Sequence, residues 1–194
     1  MSFFLAAFIG YVLGCGNAAY YLVKWRRGVD LRVAHSGTGG ATNAGRVGGK
    51  KFFIATMLLD ALKGTAAATV GLWLGGEIFY GLAGLFGAVL GHIYPAQLQF
   101  RGGKGLATTW GGMWLINWRI ALTMSAVAVA AKMLDKKLAR RAPATQFAPL
   151  LVPVAGRLIL SAYPLISFAV LGFDENSLLI LALALTMLAR QKSN

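Results

Sequence analysis

Long apolar runs alternate with short basic connections along the 194 residues of this chain. A helix needs about 20 apolar residues to cross the hydrocarbon core of a bilayer. By that measure the runs predict spans near 2–23, 52–74, 78–99, 105–118, 119–134, 146–172 and 176–190. The first three are clear. The fourth is short, with Arg119 marking the turn behind it, and 146–172 contains Pro149, Pro153, Arg157 and Pro164. That last stretch reads as one kinked helix or two shorter pieces; seven spans are expected, with six the main alternative. The fold class is therefore all-α: an integral membrane bundle of about seven transmembrane helices, one domain over residues 1–194. Gly81, Gly84, Gly87 and Gly91, three to four apart, form a stripe that suits close helix packing better than chemistry.

Composition agrees with the pattern. Hydrophobic residues make up 57% of the chain and charged residues 13%, with a mean hydropathy of +0.64. A soluble domain of this size carries nearer a quarter charged residues, so a soluble globular protein is excluded. Cys15 is the single cysteine, which rules out an intrachain disulfide. No basic residue precedes Val12-Leu13-Gly14-Cys15, so residues 1–23 read as a retained first helix rather than a cleaved signal.

A net charge of +13 raises nucleic-acid binding as a function, but the cations fall in short connections, as topology signals do. With seven spans and the N-terminus outside, the inner connections hold Lys24, Arg26, Arg27, Arg32, Arg46, Lys50, Lys51, Arg101, Lys104, Lys136, Lys137, Arg140 and Arg141. The tail adds Arg190 and Lys192, whereas the outer turns hold Glu77, Asp174, Glu175 and one cation, Arg119. This asymmetry predicts a multi-pass protein of the bacterial inner membrane with a cytoplasmic C-terminus. It also places two glycine-rich basic segments on the same, cytoplasmic, face.

The first of those segments is Ser36-Gly37-Thr38-Gly39-Gly40-Ala41-Thr42-Asn43-Ala44-Gly45-Arg46. Glycines let successive N–H groups converge on an anion. Ser36, Thr42 and Asn43 add short polar groups, and Arg46 adds a planar fork suited to phosphate oxygens. The second runs from Gly91-His92-Ile93-Tyr94-Pro95 to Phe100-Arg101-Gly102-Gly103-Lys104-Gly105. Ionisable groups at the edge of hydrocarbon mark function by default, and here Gly102, Gly103 and Gly105 free the backbone around Lys104 to wrap a ligand. Neither segment matches a Walker A or dinucleotide pattern, so no nucleotide, cofactor or metal is expected. Asp60 and Lys63, three residues apart inside the second span, read as a structural ion pair on one helix side. His35 reads as a loop residue.

With these residues the chain resembles the bacterial acyl-phosphate:glycerol-3-phosphate acyltransferases, the PlsY family. The resemblance runs nearly end to end through Gly28-Val29-Asp30-Leu31-Arg32, Ser36-Gly37 with Ala41-Thr42-Asn43 and Arg46, Asp60 with Lys63-Gly64, and Gly91-His92 with Pro95. Its most specific part is Phe100, Gly102-Gly103-Lys104-Gly105 and Ala107-Thr108. The resemblance implies a seven-helix inner-membrane protein with its active site at the cytoplasmic face. It implies transfer of a fatty acyl group from acyl phosphate to the 1-position of glycerol 3-phosphate, giving lysophosphatidic acid at the start of phospholipid synthesis. Neither CoA nor acyl carrier protein is then the direct donor. Carried over by position, Ser36, Arg46, His92 and Lys104 are implied as catalytic, with Gly37, Thr42, Asn43, Gly102, Gly103, Gly105 and Asn194 binding substrate phosphate. A monomer working at the membrane lipid is expected.

The chain departs from the family pattern at three places. The family's C-terminal Arg-His-Arg-Glu-Asn is here Arg190-Gln191-Lys192-Ser193-Asn194; Thr38 stands for an asparagine, and His35 for a glycine. Because acyl phosphate is already an activated mixed anhydride, the residues need only hold two phosphates and aim a hydroxyl. His92 fits either a base or a donor to phosphate. Two alternatives are a degenerate member that binds acyl phosphate or lipid without turnover, and a transporter of a phosphorylated solute.

Overall fold

The computed structural model describes residues 1–141 and 176–192, and among these every regular element is helical. Helices α1 (Ser2–Cys15) and α2 (Ala18–Arg27) form one broken span. Then come α3 (Ala41–Gly48), α4 (Lys50–Gly75), α5 (Ile78–Ile93), a 3-10 turn at Ala96–Leu98, α6 (Leu106–Ile116), α7 (Trp118–Arg141) and α8 (Ser177–Lys192). Three stretches are long and apolar enough to cross a membrane: Ser2–Arg27, Lys50–Gly75 and Ile78–Leu98. The expected run at 146–172 lies outside the described residues.

Helices α1 and α4 are built inside out compared with those of a soluble protein. Helix α1 buries Ala6, Gly10 and Gly14 and exposes Phe4, Phe8 and Val12. Helix α4 likewise buries Gly64, Ala67, Ala68 and Gly71 and exposes Ile54, Leu58, Leu62 and Trp73. Lipid tails are as apolar as leucine, so large side chains gain nothing by facing inward, while small ones let backbones meet. Helix α5 is the centre. From Gly81 to Ile93 all of it except Phe86 and Leu90 is buried, with α1 and α4 against it.

The stripe of glycines on α5 is packing, as its spacing predicts. A Cβ on Gly87 would overlap the Ala7 carbonyl, and one on Gly91 the Tyr11 carbonyl. Gly87→Ala must therefore push α1 away from α5, an overpacking penalty of about 1–3 kcal/mol. Thermal unfolding in detergent should show that loss.

Two features differ from the expected pattern. The first span breaks at Gly16-Asn17, where the Asn17 side chain caps α2 by accepting from the Tyr20 N–H (3.0 Å). A break in hydrocarbon must have its freed backbone groups satisfied internally. Gln97 Nε2 donates to the Cys15 carbonyl and Lys63 Nζ to the Gly16 carbonyl. Second, residues 41–48 form a short helix rather than a continuous loop.

Candidate active site

The connection from α2 to α3 is held by two internal clamps. In the first, the Arg32 guanidinium grips the Asp30 carboxylate at 2.7 Å and lies over the Tyr20 ring. The Arg32 side-chain hydrogen bond holds the Asp30 carboxyl below its ordinary range. Asp30 thus adds stability above its unfolded pKa of about 3.9, lost as pH falls through the lower folded value. Asp30→Asn should lower stability at neutral pH by at most about 1 kcal/mol, as expected for a partly exposed pair. In thermal melts, the gap from the parent should close as pH falls below about 4.

The second clamp is Asn43, which is fully buried. Its Nδ2 donates to the carbonyls of Leu31 (3.1 Å), Ala34 (3.0 Å) and Thr38 (2.9 Å). Its Oδ1 accepts from the Ser36 N–H at 3.4 Å. One side chain therefore shapes the whole turn from 31 to 43. Within that turn the Ser36 and Thr38 hydroxyls lie 3.0 Å apart. His35 sits at φ +47° and Gly37 at +64°, the left-handed region that costs a non-glycine residue about 1–2 kcal/mol. The family glycine at position 35 suits that backbone better than this chain's histidine does.

The second segment closes the C-terminal end of α5. The Gly102 and Gly103 N–H groups donate to the carbonyls of Ile93 and His92, both at 3.0 Å, so the chain turns back across the helix end. The Gly39 N–H then donates to the Gly102 carbonyl at 3.0 Å. This backbone bond joins the two glycine-rich segments. A Cβ on Gly103 would overlap His92 Nε2 and crowd the Gly39 carbonyl, so only glycine fits there. Gly105, at φ +82°, starts α6 in a conformation that a side chain would strain.

Beneath this junction, His92 is buried at the end of α5. Its Nδ1 lies 2.8 Å from Lys63 Nζ, and Lys63 pairs with Asp60 at 2.7 Å. Sequence reasoning pairs Asp60 with Lys63 but misses that both meet His92. The only available signal is two charges placed deep in an apolar helix.

The other candidates divide by position. Ser36 and Thr42 are exposed, as is Arg46 on the last turn of α3; Lys104 is partly buried. Asn43 shapes the loop that carries Ser36 and Thr38. Helix α8 brings the C-terminal motif to the same end of the bundle. Arg190 lies over the Tyr94 ring, and Met187 accepts from the Thr109 hydroxyl at 3.4 Å. Asn194 lies outside the described residues.

The chain is similar to known proteins in sequence and fold. The model of a family described as glycerol-3-phosphate acyltransferase matches residues 4–194. A glycerol-3-phosphate acyltransferase 1 from Bacillus cereus is 42% identical over 124 residues, 64% of this chain and 68% of its own length. A glycerol-3-phosphate acyltransferase from Brucella abortus is 39% identical over 150 residues, 77% of this chain and 72% of its own. A crystal structure of PlsY, an integral membrane glycerol 3-phosphate acyltransferase, in its glycerol 3-phosphate form superposes with a TM-score of 0.81 at 27% identity. That match covers 100% of this chain and 90% of the other. The lysophosphatidic acid form gives a TM-score of 0.76 at 26% identity, with the same coverage.

Proposed function

Because this chain belongs to the glycerol-3-phosphate acyltransferase family, we propose that it moves a fatty acyl group from acyl phosphate to the 1-position of glycerol 3-phosphate. The product is lysophosphatidic acid. The observation that carries this reading is the backbone bond between Gly39 and Gly102, which joins two cation-bearing glycine turns over His92. Two anionic substrates need such a double cradle. The solved relatives, in glycerol 3-phosphate and lysophosphatidic acid forms, support the same acceptor and product.

In this reading Arg46, Lys104 and the Gly105 amide neutralise phosphate, while Gly37, Gly102 and Gly103, whose amides bond internally, shape the two turns around it. Ser36 and Thr42 orient the acceptor, and Asn43 keeps their loop in shape. The acceptor hydroxyl oxygen bonds to the acyl carbon while the acyl–phosphate C–O bond breaks. The hydroxyl proton ends on the departing phosphate, so atoms and charge balance without an enzyme nucleophile. Positioning and electrostatics supply the acceleration. The acyl tail lies between helices and enters from the bilayer. The basic connections support an inner-membrane protein with the site and C-terminus facing the cytoplasm.

Purified protein in lipid vesicles, given palmitoyl phosphate and labelled glycerol 3-phosphate, should form labelled lysophosphatidate. Palmitoyl-CoA in place of palmitoyl phosphate should form none. Labelled solute trapped inside the vesicles without product would instead identify a transporter, and neither outcome would leave a non-catalytic binder.

A further inference from the structure

Lys63 occupies a node that the acyl-transfer reading leaves without a task. Its Nζ meets three groups: it hydrogen-bonds the Gly16 carbonyl at 3.1 Å and His92 Nδ1 at 2.8 Å, and it is ion-paired with Asp60 Oδ1 at 2.7 Å. These come from three separate places: the break between α1 and α2, Lys63's own helix α4, and the end of α5. As partner of the Asp60 carboxylate, Lys63 is an ammonium, with three N–H donors and no lone pair. His92 Nδ1 must then accept. The other route to Nδ1, a proton shared with Asp60, spans 3.5 Å, too long for a good hydrogen bond.

The tautomer follows, because the hydrogen bond at one ring nitrogen decides which nitrogen carries the proton. With Nδ1 accepting, the proton of neutral His92 sits on Nε2. Nε2 lies against Gly103, where any Cβ would overlap it, and it has no hydrogen-bond partner among the described residues. A second proton on the ring would also set an imidazolium 2.8 Å from the ammonium. We propose that Lys63 is a positioning residue that locks His92 as an Nε2–H donor aimed at the Gly102–Gly103 turn. His92 then binds a substrate oxygen anion there and does not serve as the general base. This rests on the acyltransferase reading for what His92 donates to, but not for the tautomer itself.

The test uses protein labelled with [15N]histidine. The chain has two histidines, and a His35→Gln background leaves His92 alone in the spectrum. The parent should show a protonated Nε2 and a bare, hydrogen-bonded Nδ1. Lys63→Met should lose that single signature and lower kcat for lysophosphatidate formation by at least about tenfold, in the sense that a wrong tautomer disables a histidine. Lys63→Arg, which keeps a donor toward Nδ1, should retain the tautomer and more of the rate than Lys63→Met. A parent spectrum showing bare Nε2 or an imidazolium overturns the proposal, even if the Met variant does not fold. So does a folded Lys63→Met protein with the parental tautomer. A parent with the expected spectrum but no acyl transfer refutes the proposed function, while the Lys63–His92 assignment stands.

Discussion

Asn43→Asp is expected to cost this protein at least about 3 kcal/mol and to lower acyl transfer by about a hundredfold or more. The change is nearly isosteric, so packing is not the reason. The amide donates to three carbonyls, those of Leu31, Ala34 and Thr38. A carboxylate donates nothing and turns an anionic oxygen toward the same three groups. Each buried acceptor left without its donor costs about 1–3 kcal/mol, and an unpaired buried charge adds to that. Asn43→Ala removes the donors without adding the charge, so stability should fall from the parent to Asn43→Ala and again to Asn43→Asp. Activity should fall in the same order, because the turn that fails carries Ser36, Thr38 and the Gly39 amide that bonds Gly102. Thermal unfolding in detergent and the palmitoyl phosphate assay measure both. An Asn43→Asp protein as stable as the parent would show that the turn is held by something else.

Much of this architecture is legible in the sequence because the bilayer is a demanding solvent. The apolar run near 52–74 becomes α4 to within two residues, and the run near 78–99 becomes α5 with the 3-10 turn behind it, since only a hydrogen-bonded helix satisfies a backbone in hydrocarbon. Charge alone assigns the two glycine-rich segments to one face of the predicted topology, and the Gly39–Gly102 backbone bond joins them. What the sequence conceals depends on contacts between distant residues. The break at Gly16-Asn17 lies inside a run of membrane-spanning length, and it holds because Gln97 and Lys63 reach it from other parts of the chain. The partnership of Lys63 with His92 crosses from one helix to another over 29 residues, and no spacing rule reports that. Asn43 misleads for a related reason. A polar residue in a glycine-rich turn suits a ligand and a loop clamp equally well, and only its burial tells them apart.

Arg46 and Lys104 should differ in how their loss depends on salt. In the proposed function each supplies a positive charge to a phosphate, and a hydrogen bond to a charged group is worth about 1.5–3 kcal/mol. Arg46→Ala and Lys104→Ala should therefore each lower kcat/KM by about 10- to 150-fold. Arg46→Lys should recover only part of the loss, because a point charge cannot reproduce a two-pronged grip on phosphate oxygens. The two sites differ in exposure. Arg46 stands exposed on the last turn of α3, whereas Lys104 is partly buried beside Gly103 and Gly105. Screening acts strongly on exposed charges, with a Debye length of about 10 Å at 0.1 M salt and about 3 Å at 1 M. Raising salt from the lower to the higher value should shrink the Arg46→Ala penalty markedly and leave most of the Lys104→Ala penalty in place. Steady-state kinetics at the two ionic strengths decide the matter. If either alanine variant acylates glycerol 3-phosphate at the parental rate in low salt, the two turns do not form an anion cradle. If both penalties shrink together, Arg46 and Lys104 act as a diffuse surface field that steers substrate in rather than as groups that grip it.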